Sequence, residues 1–125
     1  MKMFFAACFL FASLNSFAAT KNASEKQFSC TAEVFESFDD GSVRVEKIPL
    51  TVEMNNPARI IIAGDLDNRA FTLNGPKEGP YLISITEGPE YNKGSISTAE
   101  FSAEGRLQLS TVKGPLVHKI ECFRK

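Results

Sequence analysis

Phe28-Ser29-Cys30-Thr31-Ala32-Glu33-Val34 and Leu116-Val117-His118-Lys119-Ile120-Glu121-Cys122 share one pattern. In the first, Phe28, Cys30, Ala32 and Val34 fall on one face, with Ser29, Thr31 and Glu33 opposite. In the second, Leu116, His118, Ile120 and Cys122 fall together. A period of two belongs to a half-buried β-strand, whose successive side chains point to opposite sides. Each segment carries its cysteine on the apolar face, so the two strands are expected side by side with a Cys30–Cys122 disulfide between them. A meander whose first and last strands meet closes on itself, and closure removes exposed edges.

Between these strands the punctuation is frequent. Turn signals stand at Asp40-Gly41, Asn56-Pro57, Gly64-Asp65, the pair Gly75-Pro76 and Gly79-Pro80, then Gly88-Pro89, Glu104-Gly105 and Gly114-Pro115. They leave about eight short segments, and no window holds an apolar stripe of period 3.6 long enough for a helix. The expected fold is an all-β, antiparallel up-and-down meander of about eight strands, a closed or nearly closed barrel, with a two-sheet β-sandwich as the alternative. One segment breaks the alternation: Val43 and Val45 precede Ile48, Leu50, Val52 and Met54. The change of parity predicts a β-bulge near Glu46-Lys47. A second change separates Ile96 from Phe101.

The N-terminus has the pattern of a removable secretion signal. Lys2 is followed by an apolar run from Met3 to Ala12, then by a polar stretch with Ser16 and Ala18 at the −3 and −1 positions for cleavage. The run is too short to cross ~30 Å of hydrocarbon at ~1.5 Å per residue. Residues 1–18 are therefore expected as a signal peptide, 19–26 as a loose tail and 27–125 as a single β domain. The expected location is periplasmic or extracellular, and no later segment is apolar enough to span a membrane. Asn22-Ala23-Ser24 is a glycosylation acceptor only in a eukaryotic secretory pathway.

Removal of the leader also removes Cys8, leaving Cys30 and Cys122 as the only cysteines. In an oxidising compartment two such residues most simply pair, closing a loop of roughly 90 residues worth about 4.6 kcal/mol in the chain-entropy model. The mature chain keeps 15 acids against one base fewer than the 14 of the whole sequence, so it is close to neutral. Its basic residues are scattered, which argues against nucleic acid or an anionic membrane as partner.

Catalytic chemistry finds little purchase. His118, the single histidine, shares its face with Leu116, Ile120 and Cys122, and reads as a buried, hydrogen-bonded side chain near a barrel end. No Gly-x-Ser-x-Gly elbow is present. Asp65-Leu66-Asp67-Asn68 places three oxygen-bearing side chains in one turn but lacks the rest of a calcium loop, and reads as a turn. Asp39-Asp40-Gly41 reads as a hairpin. No metal or other cofactor is expected. The binding candidates are two Gly/Pro-rich loops flanking one strand: Pro76 and Lys77 up to Tyr81, and Pro89, Glu90, Tyr91, Asn92 and Lys93. Rigid loops with an exposed tyrosine suit recognition, since tyrosine gives contact area at low entropic cost. Adjacent loops of a barrel lie at opposite ends, so the two need not form one surface.

With a cysteine in the first strand, a cysteine in the last and short strands between, the chain loosely resembles the small periplasmic lysozyme inhibitors of the membrane-bound C-type family. Glu87-Gly88-Pro89-Glu90-Tyr91 echoes that family's Ser-Gly-x-x-Tyr loop, with Glu87 at the serine position and no following Tyr-x-x-x-Thr-Lys-Gly stretch. The resemblance implies an inhibitor of a secreted hydrolase. Lipocalin- and avidin-like barrels share the outline, but the chain has no tryptophan. The residues themselves point to an exported, non-enzymatic binding module with a secreted or envelope protein as partner. The alternatives are the hydrolase inhibitor and a carrier of a small ligand.

Overall fold

In the computed structural model the described residues are 27–125; the expected leader over 1–18 and tail over 19–26 lie outside them. Alternating sequence becomes nine antiparallel strands and no helix among these residues: β1 (Phe28–Ser37), β2 (Val43–Pro49), β3 (Thr51–Asn55), β4 (Arg59–Leu66), β5 (Arg69–Pro76), β6 (Tyr81–Glu87), β7 (Lys93–Ala99), β8 (Arg106–Lys113) and β9 (Leu116–Arg124). They form two sheets, ordered β2-β1-β9-β8 and β3-β4-β5-β6-β7. The barrel expectation is corrected to its stated alternative, a two-sheet sandwich. β1 and β9 do meet, but as the two central strands of the smaller sheet.

Closure fails at two corners. At the first, the chain leaves β2, whose register with β1 is continuous from Ser37↔Val43 to Thr31↔Pro49, and enters β3, which pairs only with β4. Leu50 forms the corner, its amide donating to the Cys30 carbonyl at 2.9 Å. The segment expected as one bulged strand is thus two strands in different sheets. Val43 and Val45 lie on the outer face, more than half exposed, and the register shift falls later, between Val52 and Met54. At the second corner, β7 and β8 are neighbours joined by no ladder.

Alternation fills the space between the sheets. Ala32, Val34, Ile60, Ile62, Phe71, Leu73, Ile83, Ile85 and Ile120 are buried there, each large side chain contributing about 1.5–3 kcal/mol on leaving water. Gly64, expected at a turn, lies within β4 instead, where a Cβ would meet the Leu50 side chain at 2.7 Å. The corner leucine occupies the volume the glycine leaves open. Cys30 and Cys122 are directly opposite in the β1–β9 ladder, disulfide-bonded, with Cα atoms 4.1 Å apart.

The two ends of the sandwich differ. At one, Phe28, Tyr81 and Phe101 interlock, with ring centroids 5.1–6.1 Å apart in edge-on or tilted contacts. Lys77 and Arg124 cap the Phe28 and Phe101 rings at 5.4 and 5.1 Å. That end is plugged. The opposite end, where the β1–β2, β4–β5, β6–β7 and β8–β9 connections lie, carries charge.

Candidate functional site

The same alternation that builds the core sets the chemistry of the charged end. The inward positions that follow the last apolar layer are Glu36 on β1, Arg44 on β2, Arg69 on β5, Glu87 on β6, Lys93 on β7 and Lys113 on β8. Registers place Glu36 beside Arg44, and Arg69 beside Glu87, which in turn is beside Lys93. Charges one layer deeper would be desolvated; here their heads reach water while their stems cover the core.

Asp67 joins this layer together. Asp67 and Asn68 form the two-residue β4–β5 turn, with φ of 56° and 58°. A type I′ hairpin requires positive φ at both positions, and Asp and Asn tolerate it. The turn aims the Asp67 carboxylate inward. Its Oδ2 accepts from His118 Nε2 at 2.8 Å and from Arg44 Nη2 at 3.3 Å, with Arg69 Nη1 at 3.6 Å. Arg69 also donates to the Asp67 backbone carbonyl at 3.0 Å, and Arg44 pairs with Glu36 and Glu46 at 3.1 and 3.0 Å.

The electrostatics follow from these contacts. Burial of the imidazole, only 2 % exposed, pushes the His118 pKa below its ordinary value despite the hydrogen bond to Asp67, and Arg69 and Arg44 push the same way. The neutral ring must therefore carry its proton on Nε2, facing the carboxylate. For Asp67, burial alone would raise the pKa; the bonds from His118 and Arg44 outweigh it and hold the carboxyl below the usual range. Arg44 is held more firmly charged by the same bond.

Beside His118 a cleft of about 230 Å³ opens between β7 and β8. It exists because the inward residues of these two unladdered strands are small at this level: Ser95 on β7 and Thr111 on β8. Arg69, Glu87 and Lys113 form its charged rim, and Glu87 stands 3.7 Å from both cations. The rim thus offers both signs of charge beside neutral hydroxyls. Among the described residues, no three His, Cys, Asp or Glu side chains gather as metal ligands.

The two loops proposed from sequence separate as a meander requires. Pro89, Glu90, Tyr91, Asn92 and Lys93 lie at the charged end. Gly88 donates to the Asn68 carbonyl at 2.8 Å, tying the loop to the Asp67 turn, and Tyr91 donates its amide to Glu87 at 3.0 Å. Tyr91 adopts φ of 58° and is 44 % exposed. Asn92 donates to Glu90 at 3.4 Å, and a second hollow of about 140 Å³ is lined by this loop and Glu87. Pro76 and Lys77 lie at the plugged end. Tyr81 is a core residue, 1 % exposed, its hydroxyl donating to the Lys77 carbonyl at 2.6 Å. It holds the loop shut and is not presented to a partner.

His118 is placed as expected, buried and hydrogen-bonded near one end. Sequence reading missed its partner. Asp67 was legible as a turn residue, and nothing in the spacing joins positions 67 and 118; only the sheet-to-sheet packing does. Arg44 and Arg69 likewise read as ordinary strand charges. No protein-family model, curated protein or solved structure matches the chain.

Proposed function

We propose that this chain is a non-catalytic binding module of an exported compartment, and that it recognises a polar protein surface through the charged end of the sandwich. The observation that carries this reading is the asymmetry of the two ends. One is sealed by three aromatic rings, while the other gathers Arg69, Glu87, Lys93 and Lys113 beside an exposed Tyr91 on a loop tied at both sides. Mixed charges around an aromatic anchor suit a protein epitope. A non-catalytic role is supported by the site's bonding. The imidazole is committed to Asp67 and has no hydrogen bond to Ser95 or Thr111 among the described residues, and both mature cysteines are in the disulfide. The carrier reading is disfavoured by size, since drug-sized ligands occupy pockets of ~300–1,000 Å³ and the cleft has about 230 Å³.

The narrower reading, inhibition of a secreted hydrolase, is favoured by one feature: Tyr91 is exposed on a loop whose backbone is pinned at Gly88 and Tyr91. Export itself is supported by the leader pattern and the paired cysteines. Among the described residues no helix is long and apolar enough to cross a membrane. The secreted species should begin at Ala19 or Thr20 and show no free thiol by mass spectrometry.

The test is affinity capture from envelope and culture fractions with the oxidised protein, read by mass spectrometry. Tyr91→Ala and Lys113→Ala should each weaken capture at least about tenfold, as truncation of an interface anchor does. Lys77→Ala at the plugged end should leave it unchanged. Capture that survives both substitutions at the charged end would overturn the proposal. If the captured protein is a hydrolase, inhibition by the wild type and its loss in Tyr91→Ala decide for the narrower reading.

A further inference from the structure

The outer faces of the two sheets are not alike. On the five-stranded sheet no outward row is apolar across every strand: Thr51–Ala63–Thr72–Ser84–Ile96 is mostly small and polar, and the apolar residues of Met54–Ile61–Asn74–Leu82–Thr98 are interrupted by Asn74 and end at Thr98. On the four-stranded sheet, Val45 is opposite Phe35, Phe35 opposite Val117, and Val117 opposite Val112. That row is apolar across all four strands. Its members face outward, Val45 being 57 %, Phe35 39 % and Val112 71 % exposed. A contiguous apolar band on a soluble domain marks an interaction surface more often than scattered exposed valines do. The next row toward the plugged end is Lys47–Glu33–Lys119–Ser110. Among the described residues none of its three charges forms an ion pair.

We propose that this face binds a second copy of the chain, across a two-fold axis that runs parallel to the strands between β1 and β9. Such an axis exchanges β2 with the partner's β8, and β1 with the partner's β9. Val45 then faces the second copy's Val112, and Phe35 its Val117, so the apolar band meets itself. In the charged row the same operation brings Glu33 onto Lys119 twice and Lys47 onto Ser110, with no like charges opposed. A two-fold axis along the band would instead stack Glu33 and Lys119 on the Val43–Ser37 side, leaving them unpaired. The charge order thus selects one arrangement, an isologous contact of aligned sheets about 10 Å apart. Four strands at ~4.8 Å make a narrow face, so the interface belongs to the small, weak class and the dimer forms only at high concentration.

Sedimentation equilibrium of the oxidised protein from about 10 μM to about 1 mM tests this, a range that spans weak association. The weight-average mass should climb from the monomer toward twice that value. Val112→Asp, on an exposed edge strand where folding is safe, and Phe35→Asp should both hold it at the monomer. Glu33→Lys and Lys119→Glu should each weaken association about 3- to 30-fold, because symmetry counts each change twice. The double reversal should restore it. A monomer throughout the range overturns the proposal and leaves the band to a partner of another sequence. Dimers that survive Val112→Asp and Phe35→Asp, or that fail to return in the double reversal, overturn it as well.

Discussion

Asp67 does at one residue what the charged end as a whole requires: it links the turn of one sheet to the last strand of the other. Its carboxylate is the acceptor for His118 and Arg44, and their pKa directions make the link measurable. His118 is the chain's only histidine, so its ring resonance can be followed by NMR without assignment. Burial, with Arg69 and Arg44 close by, outweighs Asp67, so the folded ring resists protonation and the midpoint should lie below ~6.5. The unfolded chain then takes the proton more readily. Stability is complete above ~6.5 and declines as pH falls below it, by at most ~1.4 kcal/mol per unit from this group. Asp67, held below the usual carboxylate range, adds a second loss as pH falls from ~4 through its own folded pKa. Urea midpoints measured from pH 7.5 to pH 3 should show both stages, and a flat profile between 6.5 and 5 would contradict the first. Asp67→Asn keeps a residue that tolerates positive φ but removes the charge. The carboxylate is the neighbour that favours the imidazolium, so the His118 midpoint should fall further. The lost charge-assisted bonds should cost about 1–3 kcal/mol.

At the level of elements, the strands were legible wherever one face is apolar and the other polar. β1, β6, β8 and β9 alternate as their sequences do, and the placement of both cysteines on apolar faces led directly to their pairing. What alternation leaves ambiguous is which sheet a strand joins. Val43 and Val45 look like core residues out of register, and parity alone suggests a bulge. The structure keeps β2 regular, leaves the two valines outside and turns the chain at Leu50. Gly64 misled for a related reason: a glycine inside a strand resembles a turn until the side chain that needs its space is known. That pairing gives a sharp test. Leu50→Ala should cost about 2–5 kcal/mol, as a buried leucine does. Gly64→Ala should cost about 1–3 kcal/mol, because its Cβ presses on the Leu50 terminus. With Leu50 already truncated, the added methyl enters vacated space, so the double variant should be less destabilised than the singles together by about 0.5–3 kcal/mol. Strict additivity in chemical denaturation would mean that the two residues do not share the corner.

Over the whole molecule, the Cys30–Cys122 bond closes a sequence separation of 92 residues, and it does so where it matters most for the architecture. β1 and β9 are the central pair of the smaller sheet, and β1 also supplies the carbonyl that holds the Leu50 corner. Separating β1 from β9 would split the smaller sheet into a β1–β2 hairpin and a β8–β9 hairpin and loosen the passage into the larger sheet. A chain of about this size buries little more than it needs, with a stability of order 5–15 kcal/mol. The disulfide restricts the unfolded ensemble, and removing a bond of this kind typically costs ~2–5 kcal/mol, a large fraction of that total. The double variant Cys30→Ala/Cys122→Ala avoids a free thiol, and its two alanines are no larger than the side chains they replace. It should fold, unfold cooperatively, and show a urea midpoint lowered by that amount. Amides of the β1–β9 ladder should lose the most hydrogen-exchange protection, since that is the ladder the bond crosses. The charged end, which rests on Asp67 and the β4–β5 turn, should keep its His118 midpoint once the variant is folded. An unchanged urea midpoint would mean that the contacts of β1 and β9 suffice without the bond. A changed His118 midpoint in the folded variant would mean that the two ends are coupled along the length of β9.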